Sequence, residues 1–216
     1  SRDFVHTFLS QFRQSGELPV WELAGNETYC MIGYHSAAVI ADAWAKGIRD
    51  FDPNLALDAM IATANQDKFG KKHYRDFGFV PAEMEAESVS KTLEYAYDDW
   101  CIAQMAQALG RQDVYETFIR RAQSYQNLFD PSTGFFRARR NQSWITPFDP
   151  AEVNYHFTEA NAWQYGFYAP QDVEGWMGLM GGDEKAAQQL DAVFTADSKT
   201  TGRDQADITG LIGQYA

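Results

Sequence analysis

The sequence predicts an all-α fold, part of an (α/α)6 helical toroid, on three observations. Apolar residues recur at helical spacing and nowhere sustain the alternation of a strand. The helices come in pairs joined by loops of about twenty residues rich in aromatics, longer than a mere connection requires. No short fixed repeat accompanies the pairs, which favours a closed toroid over a solenoid.

Each element follows in chain order. Phe4, Val5, Phe8, Leu9 and Phe12 form a first apolar stripe. The loop GELPVWELAGNETYCMIGYH leads into a helix of small residues, SAAVIADAWAKGI. A third helix runs from Asn54 to about Asp67, starting after Asp52-Pro53, since proline is tolerated in a first turn. FGKKHYRDFGFVPAEM reads as loop. A long helix then spans about Glu87 to Leu109 and is closed by Gly110. Asp113 is expected to N-cap a helix through Leu128, with Val114, Phe118, Ala122, Tyr125 and Phe129 facing inward. FDPSTGFF is a Pro-Gly turn. Two shorter helices follow, around Asp172 to Met180 and Asp183 to Phe194, the second with Asp183-Glu184 as its N-cap.

Composition removes several functional classes. Thirty acids against 18 bases give a net charge of −12, which repels a phosphate backbone and favours divalent cations. Mean hydropathy is −0.45 and no long apolar run is present, so no transmembrane helix is expected. Two cysteines, Cys30 and Cys101, are too few for a disulfide framework, and without a CxxC pair they argue against metal binding through sulfur. No HExxH, GxSxG, Walker or GxGxxG pattern occurs. The aromatic share of 15% suits a carbohydrate or peptide cleft, although many such rings serve as core.

Two segments carry chemistry. FTEANAWQYGFYAPQDV places Glu159, two amides (Asn161, Gln164) and two large rings (Trp163, Tyr165) close together. A core helix avoids so many hydrogen-bonding groups, because each buried orphan costs about 1–3 kcal/mol. Sugar sites want this mixture; a polar loop with two docked aromatics is the alternative. The second segment is ESVSKTLEYAYDDWCIAQMAQALG, in which Val89, Leu93, Ala96, Trp100 and Ala103 should face the core. Glu94 lies at the border of that stripe, one turn from Asp98, where burial and like charge suit a general acid. The plainer alternative is an exposed Glu94 paired with Lys91. His35 either binds a hydroxyl or is a structural histidine. Glu27 is expected on a backbone amide, and Trp21 and Trp144 are either stacking platforms or core. Asp98-Asp99 is not read as a metal pair, since adjacent helical side chains diverge.

LPVWELAGNETYCMIGYHSAAVIADAWAKGI, VSKTLEYAYDDWCIAQMAQALG, NLFDPSTGFFRAR, FTEANAWQY, PQDVEGWMGLMGG and ADITGLIGQYA together resemble the glycoside hydrolase family 92 α-mannosidases over essentially all 216 residues. The resemblance implies a secreted or periplasmic, calcium-dependent exo-enzyme that releases mannose from glycans with inversion. It also implies an N-terminal β-sandwich and a C-terminal (α/α)6 toroid, of which this chain resembles the first part. Carried over, Glu94 matches the general acid, and Glu159 a residue at the mannose and leaving-group subsites. Thr158 stands where members preferring α-1,2 linkages often have His, and Trp163 and His35 are further substrate-binding candidates. Asn161 and Gln164 lie in the segment associated with calcium. The family's base sits in a Gly-Asn-Asp-Asp-like stretch beyond IGQYA, so this chain is expected to be a segment of a larger enzyme. If it held its own base, Asp98, Asp172, Asp204 and Asp207 would be the candidates.

Overall fold

The computed structural model describes residues 1–205 and 208, and is built chiefly of helices joined by loops that carry two-residue strands. Of the last motif, ADITGLIGQYA, only Ile208 lies among the described residues, and Asp207 lies outside them. No helix among the described residues is long and apolar enough to cross a membrane.

The described residues divide into two compact units, 1–75 with 94–123 and 76–93 with those from 124 onward. In the first, α1 (Arg2–Ser15) packs on α2 (Ser36–Ala45) and α3 (Pro53–Ala64). Only Val5 and Leu9 of the α1 stripe are buried, while Phe4 is exposed, so the apolar face is narrower than its sequence suggests. The connecting loop holds a small hairpin, β1 (Glu22–Leu23) with β2 (Asn26–Glu27). Glu27 fastens it: its carboxylate accepts from the backbone N–H groups of Val20, Trp21 and Tyr29. Trp21 is exposed and is not core. Asp52 caps α3 by accepting from the N–H groups of Asn54 and Leu55, with Pro53 at the first position, as the sequence predicts.

α4 (Lys71–Phe77) occupies the stretch expected to be a loop. Its buried residues are Lys71 and Tyr74, so an apolar stripe is missing. The Lys71 ammonium donates instead to the carbonyl of Thr63 and the Gln66 side chain, at 2.8 Å each. α5 (Ser88–Ala108) is the long helix, followed by Gly110 at φ 71°, a left-handed stop that glycine adopts without strain. α6 covers only Gln112–Arg121, with Arg111 rather than Asp113 at its N-cap. It ends early because the chain tightens into a 3-10 turn over Ser124–Leu128. Val114, Phe118, Ala122, Tyr125 and Phe129 are nevertheless all buried.

In the second unit the Pro-Gly turn is a hairpin, β3 (Phe129–Asp130) with β4 (Phe135–Phe136). Buried Asp130 accepts from the Ser132 N–H and hydroxyl and from Arg137 at 2.6 Å. Burial opposes ionisation there, but Ser132 and Arg137 outweigh it and hold the Asp130 carboxyl below the usual carboxylate range. A second hairpin joins β5 (Arg139–Arg140) to β6 (Ser143–Trp144), with Trp144 half-buried. β7 (Glu152–Val153) leads towards the sugar-like segment, whose short helix α7 covers Ala162–Tyr165. α8 (Val173–Met180) is capped by Asp172 on the Gly175 N–H and packs on α9 (Asp183–Thr195). Gly182, not Asp183, is the N-cap of α9, and it makes no side-chain cap bond. β8 (Thr201–Gly202) pairs in parallel with β7.

Candidate active site

Between Ser88 and Ala106 only Tyr97, Trp100 and Gln104 of α5 escape full burial. They lie on one narrow line, so Trp100 marks the open edge instead of the core. A helix enclosed this far must pair every charge it carries, because an unpaired buried ion costs several kcal/mol. Lys91 pairs with Glu85 at 2.7 Å and with Glu87 at 3.7 Å. It is thus not the partner of Glu94, and the plainer reading of that glutamate fails.

In the first unit Glu94 is buried, with 8% of its surface exposed, and its Oε2 lies 2.8 Å from His35 Nε2. His35 Nδ1 lies 2.7 Å from Asp98 Oδ1, and the other oxygen of Asp98 accepts from the Tyr34 N–H at 2.7 Å. Asp98 is fully buried, while the imidazole side chain is 41% exposed. Burial disfavours the imidazolium, yet Asp98 and Glu94 outweigh it and push His35 up to about 11. As the imidazolium, His35 donates from both ring nitrogens, one to the carboxyl group of each acid. No ring nitrogen is left for a sugar hydroxyl, which removes His35 from the substrate-binding residues expected from the sequence.

Asp99, the next residue, turns the other way. Arg121 grips it with Nε at 2.7 Å and Nη2 at 3.1 Å, and the hydroxyls of Tyr34 and Tyr74 donate at 2.7 and 3.1 Å. Burial lifts Asp99 to about 6 against the pull of Arg121, which still leaves it ionised at neutral pH. The two acids share no ligand position, as their helical spacing predicts.

The second unit holds the Thr158–Gln164 turn. The backbone carbonyl of Tyr155 accepts from the Glu87 N–H at 2.6 Å and that of His156 from the Val89 N–H at 3.0 Å, so this turn caps the start of α5. The Thr158 N–H then donates to the Ser90 hydroxyl at 2.9 Å. Glu159 stands at φ 48°, a left-handed conformation uncommon for a residue with a side chain. Asn161 and Gln164 form a capping box on α7: Asn161 Oδ1 accepts from the N–H groups of Trp163 and Gln164, and Gln164 Oε1 accepts from the Asn161 N–H. Both amide oxygens are thereby committed to backbone. A cation needs oxygen lone pairs: Asn161 Oδ1 already serves two N–H groups, whereas Gln164 Oε1 serves one and keeps a second lone pair. Thr158 Oγ1, Asn161 Nδ2 and Gln164 Nε2 are buried and have no hydrogen-bond partner among the described residues. Trp163 is half-buried and packs edge-on against Phe135, with centroids 4.8 Å apart.

The structure thus brings Glu94 and His35 together in one unit, and Thr158, Glu159, Asn161, Trp163 and Gln164 on one turn of the other. Asp98 is the residue whose role sequence reasoning missed; its one-turn spacing from Glu94 was the available signal. Of the alternative bases, Asp98 and Asp172 are engaged with His35 and with the α8 cap, and Asp204 is exposed. Among the described residues no cluster of three or more His, Cys, Asp or Glu side chains is arranged to hold a metal ion.

Comparison with known proteins gives these arrangements a context. Residues 1–216 match the glycosyl hydrolase family 92 catalytic domain. A family GH92 alpha-mannosidase from Bacteroides thetaiotaomicron, solved in complex with mannoimidazole, superposes with a TM-score of 0.90 at 41% identity, over 97% of this chain and 30% of that one. A family GH92 inverting mannosidase from the same organism gives 0.85 at 35% identity, over 90% of this chain and 28% of that one. An uncharacterized secreted glycosidase of Arthroderma benhamiae is 25% identical, over 99% of this chain and 33% of that protein. This chain therefore spans about a third of the length of its relatives.

Proposed function

The chain belongs to glycosyl hydrolase family 92, and on that premise we propose that the protein carrying it is an exo-acting, inverting α-mannosidase that releases mannose from glycans. The observation that carries this reading is the likeness to a family GH92 alpha-mannosidase at 41% identity over 97% of the chain. The buried acid at Glu94 adds the chemistry that such a reaction requires.

Glu94 gives its proton to the glycosidic oxygen as the bond to the anomeric carbon breaks. A second carboxylate, roughly 6.5–9.5 Å away in an inverting enzyme, activates water on the opposite face of the sugar. A carboxylate of the full-length enzyme would take that role. Thr158, Glu159 and Trp163 would receive sugar, since the orphaned polar atoms of this turn and the half-buried ring of Trp163 suit hydroxyls and a pyranose face. The segment would be part of an (α/α)6 toroid in the complete catalytic domain, beside an N-terminal β-sandwich. Secretion or a periplasmic location is in keeping with the relative described as secreted. Calcium dependence belongs to the same proposal, with Gln164 Oε1 a better placed oxygen than the doubly engaged Asn161 Oδ1.

The test is Glu94→Gln in the full-length enzyme. Turnover of an unactivated α-mannoside should fall by about 10²–10⁴-fold, the usual contribution of a general acid. An aryl mannoside with a good leaving group should be affected less, because it needs less protonation. Wild-type rates on both substrates would overturn the assignment. NMR of the first-formed sugar should show β-mannose if the reaction inverts.

A further inference from the structure

We propose that His35, clamped between Asp98 and Glu94, is a positioning residue for the acid, fixing one oxygen of the Glu94 carboxyl and opposing the charge that develops there. The inference rests on Glu94 being the general acid. It goes further by assigning the acid's control to a histidine and an aspartate on its far side.

The geometry excludes two other roles. A histidine kept for packing would be buried, but this side chain is 41% exposed and still has both nitrogens on carboxylates. A substrate-binding histidine would keep a nitrogen for substrate, and none remains. The clamp is also built from both ends. Asp98 holds His35 Nδ1 with one oxygen and the Tyr34 N–H with the other, so the same carboxylate orients the ring and anchors the backbone beside it. Gly33 completes the fit: at φ 82°, any Cβ placed there would lie 2.6 Å from His35 Nε2. A side chain at position 33 would push the ring off Glu94.

Titratable groups face the ring from three elements among the described residues. α5 contributes Glu94 and Asp98, together with Tyr97, whose ring centroid is 6.4 Å from the imidazole, and Cys101. Burial pushes Tyr97 and Cys101 up to about 12, so both stay neutral. From α2, exposed Asp42 is paired with Lys46. From α4, Lys71 feels Asp98, but its burial lowers it to about 8. His35 thus faces Glu94 directly, with Nε2 2.8 Å from Oε2.

The proton step follows from this arrangement. The O–H bond of the Glu94 carboxyl breaks as a new O–H bond forms on the leaving oxygen. The electron pair stays on Glu94, whose Oε2 is already held by the His35 N–H. Asp98 keeps the imidazolium in place and, as the opposite charge on its far side, moderates its pull on Glu94.

The experiment measures kcat/KM against pH on an unactivated α-mannoside, using full-length wild type, Glu94→Gln, His35→Gln and Asp98→Asn. The basic limb of such a profile reports the acid of the free enzyme. His35→Gln removes the positive charge, so Glu94 holds its proton longer and the basic limb should move up by roughly one to three pH units, the range of a neighbouring charge. Asp98→Asn leaves the imidazolium uncompensated, so the limb should move down. Limbs that shift in opposite directions sustain the proposal. A parallel loss of activity with unmoved limbs would make the pair structural, and a raised KM with an unmoved limb would make His35 a substrate contact; either overturns it. Should His35→Gln fail to fold, an Asp98→Asn limb that is unmoved or moves up is sufficient to overturn it. Inactivity of the wild type, or full activity of Glu94→Gln, would instead sink the mannosidase reading itself.

Discussion

Asp98 and Asp99 are neighbours on one helix and equally inaccessible, yet they head opposite kinds of environment. Asp99 meets an arginine that stays charged at any working pH, in a two-pronged grip closed by two tyrosine hydroxyls. Asp98 meets a histidine, which can lose its charge, stands partly in solvent and touches a second acid. The difference teaches how to sort buried charges. One closed by a permanent cation serves the fold, while one coupled through a titratable group to another acid can take part in proton transfer.

The largest expected effect is on the closed side. Arg121→Met strips buried Asp99 of the cation that compensates it, and should lower stability by about 3–5 kcal/mol, read as a fall in the denaturant midpoint. The pH profile of whatever protein remains folded should keep its limbs. A shifted limb would break the comparison by making this side chemical too.

A smaller effect is expected at the sugar-like turn. Asn161→Ala removes the N-cap of α7 and should cost about 1 kcal/mol. Calcium affinity of the full-length enzyme, measured by titration calorimetry, should be unchanged because the Asn161 oxygen already serves two backbone N–H groups. A clear loss of calcium would return this residue to the metal ligands.

A pH-dependent effect belongs to the open side of α5. His35 is held above its unfolded value, so its contribution to stability is complete below about 6.5, the unfolded histidine value. It is then lost as pH rises through the folded value of about 11. The difference in melting temperature between wild type and His35→Gln should accordingly shrink from pH 6 towards pH 10. A difference that grows with pH would mean the imidazole is neutral in the folded protein.

Much of the fold was legible because local signals set it. Asp52-Pro53 starts α3, Gly110 stops α5, and Asp172 caps α8, each within a few residues of its cause. α4 escaped because its inward residues are a lysine and a tyrosine, and the lysine is satisfied by Thr63 and Gln66, outside any apolar pattern. The early end of α6 escaped for a similar reason: the carbonyl of Arg121 accepts from the Tyr74 hydroxyl, far back in the chain. At the site, residue types and one-turn spacing pointed to Glu94 and its border position. The partner did not show, since His35 is brought to Glu94 and Asp98 by folding over some sixty intervening residues. Periodicity describes one helix at a time, whereas a buried ion is settled by whatever distant element arrives beside it.

The left-handed backbone at Glu159 carries a consequence for how this protein can change. A residue with a side chain stands about 1–2 kcal/mol above glycine in that conformation. Position 159 is thus a place where the simplest stabilising replacement, glycine, deletes the carboxylate proposed to meet the sugar. Selection for heat resistance alone would drift towards that glycine, and selection for turnover would hold the glutamate against it. A library ranked by melting temperature should therefore lose its best catalysts at this position first.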